Sequence, residues 1–105
     1  MSTLLEKIKQ LSSEITPETL ANRHHIHANP ELSYQEFQTQ AYVLEQLERM
    51  GIQAKKIATT GLIAEIKGKN PDKKVVALRA DMDALPILET NDVPYKSKNP
   101  GVMHA

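Results

Sequence analysis

Residues 32–51 read Leu-Ser-Tyr-Gln-Glu-Phe-Gln-Thr-Gln-Ala-Tyr-Val-Leu-Glu-Gln-Leu-Glu-Arg-Met-Gly, and the hydrophobic period changes directly after them. Ser33 and Glu36 stand at capping-box spacing, with Leu32 and Phe37 at the two staple positions. Phe37, Ala41, Leu44 and Leu47 recur at helical spacing and predict a buried stripe. Gly51 suits the residue just past a helix end, where a left-handed backbone costs glycine little. Beyond it the pattern is that of strands. Residues 53–58 read as a weak strand, with Lys55 and Lys56 suggesting an edge. Leu62, Ala64 and Ile66 alternate with Ile63, Glu65 and Lys67, as in a strand with one wet face. Val75-Val76-Ala77-Leu78 is a short apolar run expected to be a central strand covered on both faces.

Upstream, the same rules predict two further helices. Leu4, Leu5, Ile8, Leu11 and Ile15 share a face, and Thr3 with Glu6 has the form of a capping box. A second helix is expected to start at Thr16-Pro17-Glu18, where proline suits the first turn, and to stop near Ala28, because Pro30 disfavours the helical region at Asn29. Past Leu85, prolines 86, 94 and 100 among Asn and Gly residues make regular structure unexpected. Helices followed by strands read as α/β or α+β, and an α/β class with N-terminal helices leading into the first strands of a mixed sheet is expected. No helix is expected after the central strand, and the turn-rich segment 96–105 closes nothing. On this logic the fold is expected to continue past Ala105.

Composition narrows the function classes. The chain has 105 residues, enough for one ordinary domain and not two. Apolar residues make up 40% and charged residues 25%, a globular balance. Basic and acidic residues both number 13, which suggests neither nucleic acid nor an anionic membrane as a partner. No stretch has the apolar length of a membrane span, and charges at Glu6, Lys7 and Lys9 interrupt any signal sequence. The cytoplasm is the default address. Cysteine is absent, so these residues hold no disulfide and no thiolate ligand.

Two clusters attract chemical interest. Arg79-Ala80-Asp81-Met82-Asp83 follows the apolar run, where chains leaving a sheet often bind ligands. Its functional reading is a metal or proton-transfer site. Its plain reading is an arginine paired with a neighbouring acid beside turn-capping aspartates. His24, His25 and His27 form the second cluster. His24 and His27 share a helical face while His25 points elsewhere, so core-edge or solvated histidines fit better than a zinc site, which needs three converging ligands. His104 alone carries no assignment.

Four ordered segments resemble the hippurate hydrolases, N-acyl-amino-acid amidohydrolases and auxin-conjugate hydrolases of the aminoacylase and carboxypeptidase clan. They are residues 23–33 with Glu36 and Thr39, residues 60–64, residues 78–87, and residues 100–105. The resemblance implies that residues 1–105 are the N-terminal portion of a metallopeptidase-like catalytic domain, truncated, with the rest of that domain and a lid or dimerisation domain absent. In the family, Met-His-Ala is followed by Cys-Gly-His-Asp, whose Cys and His bind metal. The other ligands and a general-base Glu come later still, so this fragment alone is expected to be inactive and metal-free.

For the parent, the resemblance implies two divalent ions (zinc, manganese, cobalt or nickel) and hydrolysis of an amide in an N-acyl amino acid, peptide or similar small molecule. The ions would lower the pKa of a bridging water and polarise the scissile carbonyl. A homodimeric parent is implied as well. Asp83 is the catalytic residue carried over. It matches an aspartate that orients the metal site from behind, and Asp81 falls where a ligand His stands elsewhere in the clan. The competing reading is a non-catalytic α/β binding or interaction module.

Overall fold

A computed structural model describes residues 2–105. Two helices, α1 (Leu4–Ala28) and α2 (Phe37–Arg49), precede two strands, β1 (Ala54–Ile57) and β2 (Gly61–Ala64). The strands form one antiparallel pair, with Ala54 opposite Ala64 and Ile57 opposite Gly61. Helix α2 packs on both of them.

Helix α1 begins as its sequence dictates. The Thr3 hydroxyl accepts from the Glu6 amide at 3.2 Å, and the Glu6 carboxylate accepts from the Thr3 amide at 2.7 Å. The expected break at Thr16-Pro17 does not occur, and one helix runs through Pro17. Proline removes one backbone hydrogen bond and crowds the preceding turn. On either side, the Thr16 and Thr19 hydroxyls donate back to the Ser12 and Ile15 carbonyls at 2.8 and 3.0 Å. These hydroxyls give carbonyls near the missing amide a further donor, and back-bonding of this kind goes with helix bending.

Helix α2 ends as expected and begins otherwise. Gly51 adopts φ +76°, its amide donates to the Glu48 carbonyl, and the Ile52 amide donates to the Leu47 carbonyl. This is the Schellman pairing, which satisfies carbonyls that the helix leaves open. At the start, the Ser33–Glu36 capping box is not formed. Glu36 is itself the cap residue, with no side-chain bond into the helix. The cap comes from Glu31, whose carboxylate accepts from the Gln38 amide at 3.2 Å and from the Thr39 amide and hydroxyl at 2.6 Å each. The buried residues of α2 are Thr39 and Gln40, whereas Phe37 is half exposed. Packing therefore follows the polar latch, not the apolar stripe.

That latch holds the hairpin. Ala58 and Thr59 both have positive φ in the turn, a conformation that costs non-glycine residues. Glu36 accepts from the Thr60 hydroxyl at 2.8 Å, and the Gln40 amide group donates to the carbonyls of Thr59 and Gly61 at 3.2 and 2.8 Å. Three side-chain bonds to α2 thus fix the turn in place.

The expected central strand is absent. Residues 75–78 pair with no described residue, and Val75 and Leu78 are 91% and 101% exposed. Ile66, also expected inside, is exposed. A strand is an extended segment stabilised by neighbours on its edges and faces, and these residues have neither here. Leu4, Leu5, Ile8, Leu11 and Ile15 likewise lie open along α1.

Candidate active-site edge

The structured C-terminal half is a small ladder of three sequence-remote segments. Leu32 and Ala84 form a parallel bridge, with the Ala84 amide donating to the Glu31 carbonyl at 2.8 Å. Leu85 and Met103 form an antiparallel bridge and exchange bonds of 2.9 and 3.0 Å. Asp83 sits immediately before this ladder and His104 immediately after it. The backbone thereby sets the two beside each other, although they lie 21 positions apart. Ala84 is buried because it lies between the two flanking segments.

Asp83 is half-buried, and Asp81 is exposed. Asp81 pairs with Arg79 at 3.1 Å through both Nε and Nη2. The plain reading of this charged run therefore holds for Arg79 and Asp81 and leaves Asp83 apart from the pair. His104 carries the site's unusual feature. Its Nε2 is buried and has no hydrogen-bond partner among the described residues. Burial, and secondarily the nearby His27, hold its pKa below the ordinary 6.5, against the opposing pull of the Asp83 carboxylate and carbonyl. Burial thus disfavours the charged form of an imidazole whose Nε2 has no partner among the described residues.

The three upstream histidines take separate partners. His24 stacks on Tyr95 with ring centroids 4.0 Å apart, and His25 stacks on Tyr42 at 3.9 Å. His27 reaches Glu89, with Nε2 at 3.0 Å from both carboxylate oxygens. Core-edge histidines are what the helical spacing suggested, and these contacts are of that kind.

Sequence reasoning missed Glu89 altogether. It is 4% exposed and also accepts from the Ser97 amide at 2.7 Å and from Asn91 at 3.2 Å. The Ser97 bond, then His27, draw its pKa from 4.5 to about 2 against the penalty of burial. Nothing near Glu89 in sequence signals this, since its helical partner lies 62 positions away. Glu31 was noticed only within a motif, and its capping role spans eight positions.

No three His, Cys, Asp or Glu side chains converge as a metal set among the described residues. The orphaned His104 Nε2 is one donor beside one carboxylate, which falls short of a site. The described residues by themselves do not complete a metal-ligand set. Nor is any described helix long and apolar enough to cross a membrane.

In sequence and in fold, the chain resembles a segment of amidohydrolases, carboxypeptidases and a dinuclear metal binding peptidase. The similar proteins are specific. It is 48% identical over 101 residues to an N-acyl-L-amino acid amidohydrolase of Geobacillus stearothermophilus, covering 95% of this chain and 27% of that one. It is 48% identical over 104 residues to thermostable carboxypeptidase 2 of Saccharolobus solfataricus, covering 97% and 26%. A Bacillus subtilis crystal structure described as a dinuclear metal binding peptidase of the M20 family superposes with a TM-score of 0.81 at 40% identity, covering 88% of this chain and 26% of that chain. The chain thus spans about a quarter of the length of the relatives it matches. No family model matches it.

Proposed function

We propose that the protein carrying these residues hydrolyses an amide bond in an N-acyl amino acid or a similar small amide, in a metal-dependent reaction. Residues 1–105 then form the N-terminal portion of its catalytic domain, and Asp83 orients the metal site. The observation that carries this reading is the Glu31–Ala84 and Leu85–Met103 ladder, which sets Asp83 beside His104, in a chain 48% identical to an N-acyl-L-amino acid amidohydrolase. The likeness to a dinuclear metal binding peptidase supports two divalent ions in the whole protein. Zinc, manganese, cobalt and nickel are the metals to assay.

In this reading the chain's own residues prepare the site. Glu31 fixes Ala84 through its backbone carbonyl, and the ladder sets the positions of Asp83 and His104. A carboxylate behind a metal site holds a ligating imidazole in one orientation, and Asp83 is free of Arg79 to do so.

The test is hydrolysis of N-acetyl and N-benzoyl amino acids by the full-length protein, with and without a chelator. Chelator-sensitive release of the free amino acid is expected from the full-length protein and not from residues 1–105. Full-length protein that takes up no metal and cleaves none of these amides, while still binding one, would favour the non-catalytic module instead. Sedimentation of the full-length protein tests the expected homodimer.

A further inference from the structure

Glu89 has no place in the function proposed so far, yet no carboxylate among the described residues has more hydrogen-bond contacts. It gathers three donors from different parts of the chain: His27 on the last turn of α1, Asn91, and the Ser97 amide. Ser97 passes the constraint on. Its hydroxyl lies 2.7 Å from the Val102 carbonyl and 3.1 Å from that of Asn99, and the next amide, Lys98, donates to the Ala28 carbonyl at 2.9 Å. Val102 precedes Met103, which bonds Leu85 in the ladder. A continuous path therefore runs from His27 through Glu89, Ser97 and Val102 to Met103, which precedes His104, and across the bridge to Leu85, two residues past Asp83.

We propose that Glu89 is a positioning residue for the reaction centre, setting through His27 and Ser97 where His104 stands relative to Asp83. This rests on the amidohydrolase reading. The physical case is one of redundancy. Residues 89–103 contain no helix or strand of their own, so their course is set by a handful of bonds, and the Leu85–Met103 bridge supplies only two. Removing the buried carboxylate would orphan the Ser97 amide and His27 together, which is costly in a dry site. The segment would then settle elsewhere and carry His104 with it. Misplacement on the order of 1 Å is enough to lower turnover by about 100-fold in a preorganised site.

The experiment uses the full-length protein with Glu89→Gln, and Ser97→Ala as a milder break in the same path. Three readouts are taken: kcat and KM on an N-acyl amino acid, melting temperature, and the ring 15N signals of His104. Expected for Glu89→Gln is a fall in kcat of about 10-fold or more with a smaller change in KM, and shifted His104 signals in molecules that remain folded. A merely structural role would lower the melting temperature and leave folded molecules with normal kcat and unmoved His104 signals. That result overturns the proposal, as does movement of only one of the two. If Glu89→Gln does not fold, Ser97→Ala decides by the same readouts. Should the wild-type protein cleave no amide, the functional reading fails separately, and the His104 signals alone decide whether Glu89 positions it.

Discussion

Replacing Glu31 by Ala removes the cap of α2 and nothing of its apolar packing. Three acceptor contacts vanish at once, those to the Gln38 amide and to the Thr39 amide and hydroxyl. Losing an N-cap costs about 1 kcal/mol. Thr39 is only 4% exposed, so its hydroxyl is left buried and unpaired, at about 1–3 kcal/mol more. The sum is about 2–4 kcal/mol, which for a unit of this size lowers the melting temperature by on the order of 10–30 °C. Glu31→Gln keeps one acceptor oxygen and loses the charge that favours the positive helix end, so about 1 kcal/mol is expected. Urea unfolding followed by circular dichroism measures both variants. A double-mutant cycle with Thr39→Val isolates the hydroxyl, because Val adds little further loss once Glu31 is gone. The reasoning is refuted if Glu31→Ala unfolds within about 0.5 kcal/mol of wild type, or if Gln is as damaging as Ala. The Glu31 backbone carbonyl that holds the Ala84 amide is kept in the Ala variant, so the site should change less than the helix start does.

Other outcomes follow from the same structure. Glu89 has its pKa drawn from 4.5 to about 2, so its stabilising contribution is complete above 4.5 and is lost as the pH falls toward 2; acid unfolding of wild type should show this component, and Glu89→Gln should lack it. Gly61→Ala should destabilise the hairpin by about 1–3 kcal/mol, since a Cβ there would lie 2.9 Å from the Ile57 carbonyl oxygen; unchanged stability would mean the hairpin turn relaxes freely. In the full-length protein, Asp83→Asn should lower metal affinity or turnover by about 10-fold with little change in melting temperature, while Asp81→Asn, which breaks only an exposed pair with Arg79, should do less; full activity and metal content in Asp83→Asn would end the assignment. Isolated residues 1–105 expose Val75, Val76 and Leu78 and should self-associate and bind a hydrophobic dye; a dye-silent monomer would contradict this.

Most signals that act within about four residues were legible, the unformed Ser33–Glu36 box being an exception. The Thr3–Glu6 box, the Gly51 helix end and the hairpin strands stand close to where the sequence placed them, because each depends on contacts between chain neighbours. The same holds for the pairing of Arg79 with Asp81. Pro17 is the instructive local failure. Proline is equally at home in a first turn and tolerable in a run whose neighbouring carbonyls receive threonine hydroxyls, and sequence rules alone do not choose between the two.

By itself the sequence determined that helices precede strands, that the chain lacks thiolate ligands, and that its ordered motifs resemble those of metal-dependent amidohydrolases. Only the tertiary structure decided which groups meet. Ser33 offered a cap and Glu31 took the role, because the turn at Tyr34, with φ +62°, brings the earlier carboxylate to the helix end. Val75 to Leu78 has the composition of a buried strand, but composition supplies no partner, and within these residues none is present. The Asp83–His104 juxtaposition and the His27–Glu89 clamp join residues 21 and 62 positions apart. Contacts at such separations depend on the course of the whole intervening chain, which no local pattern encodes.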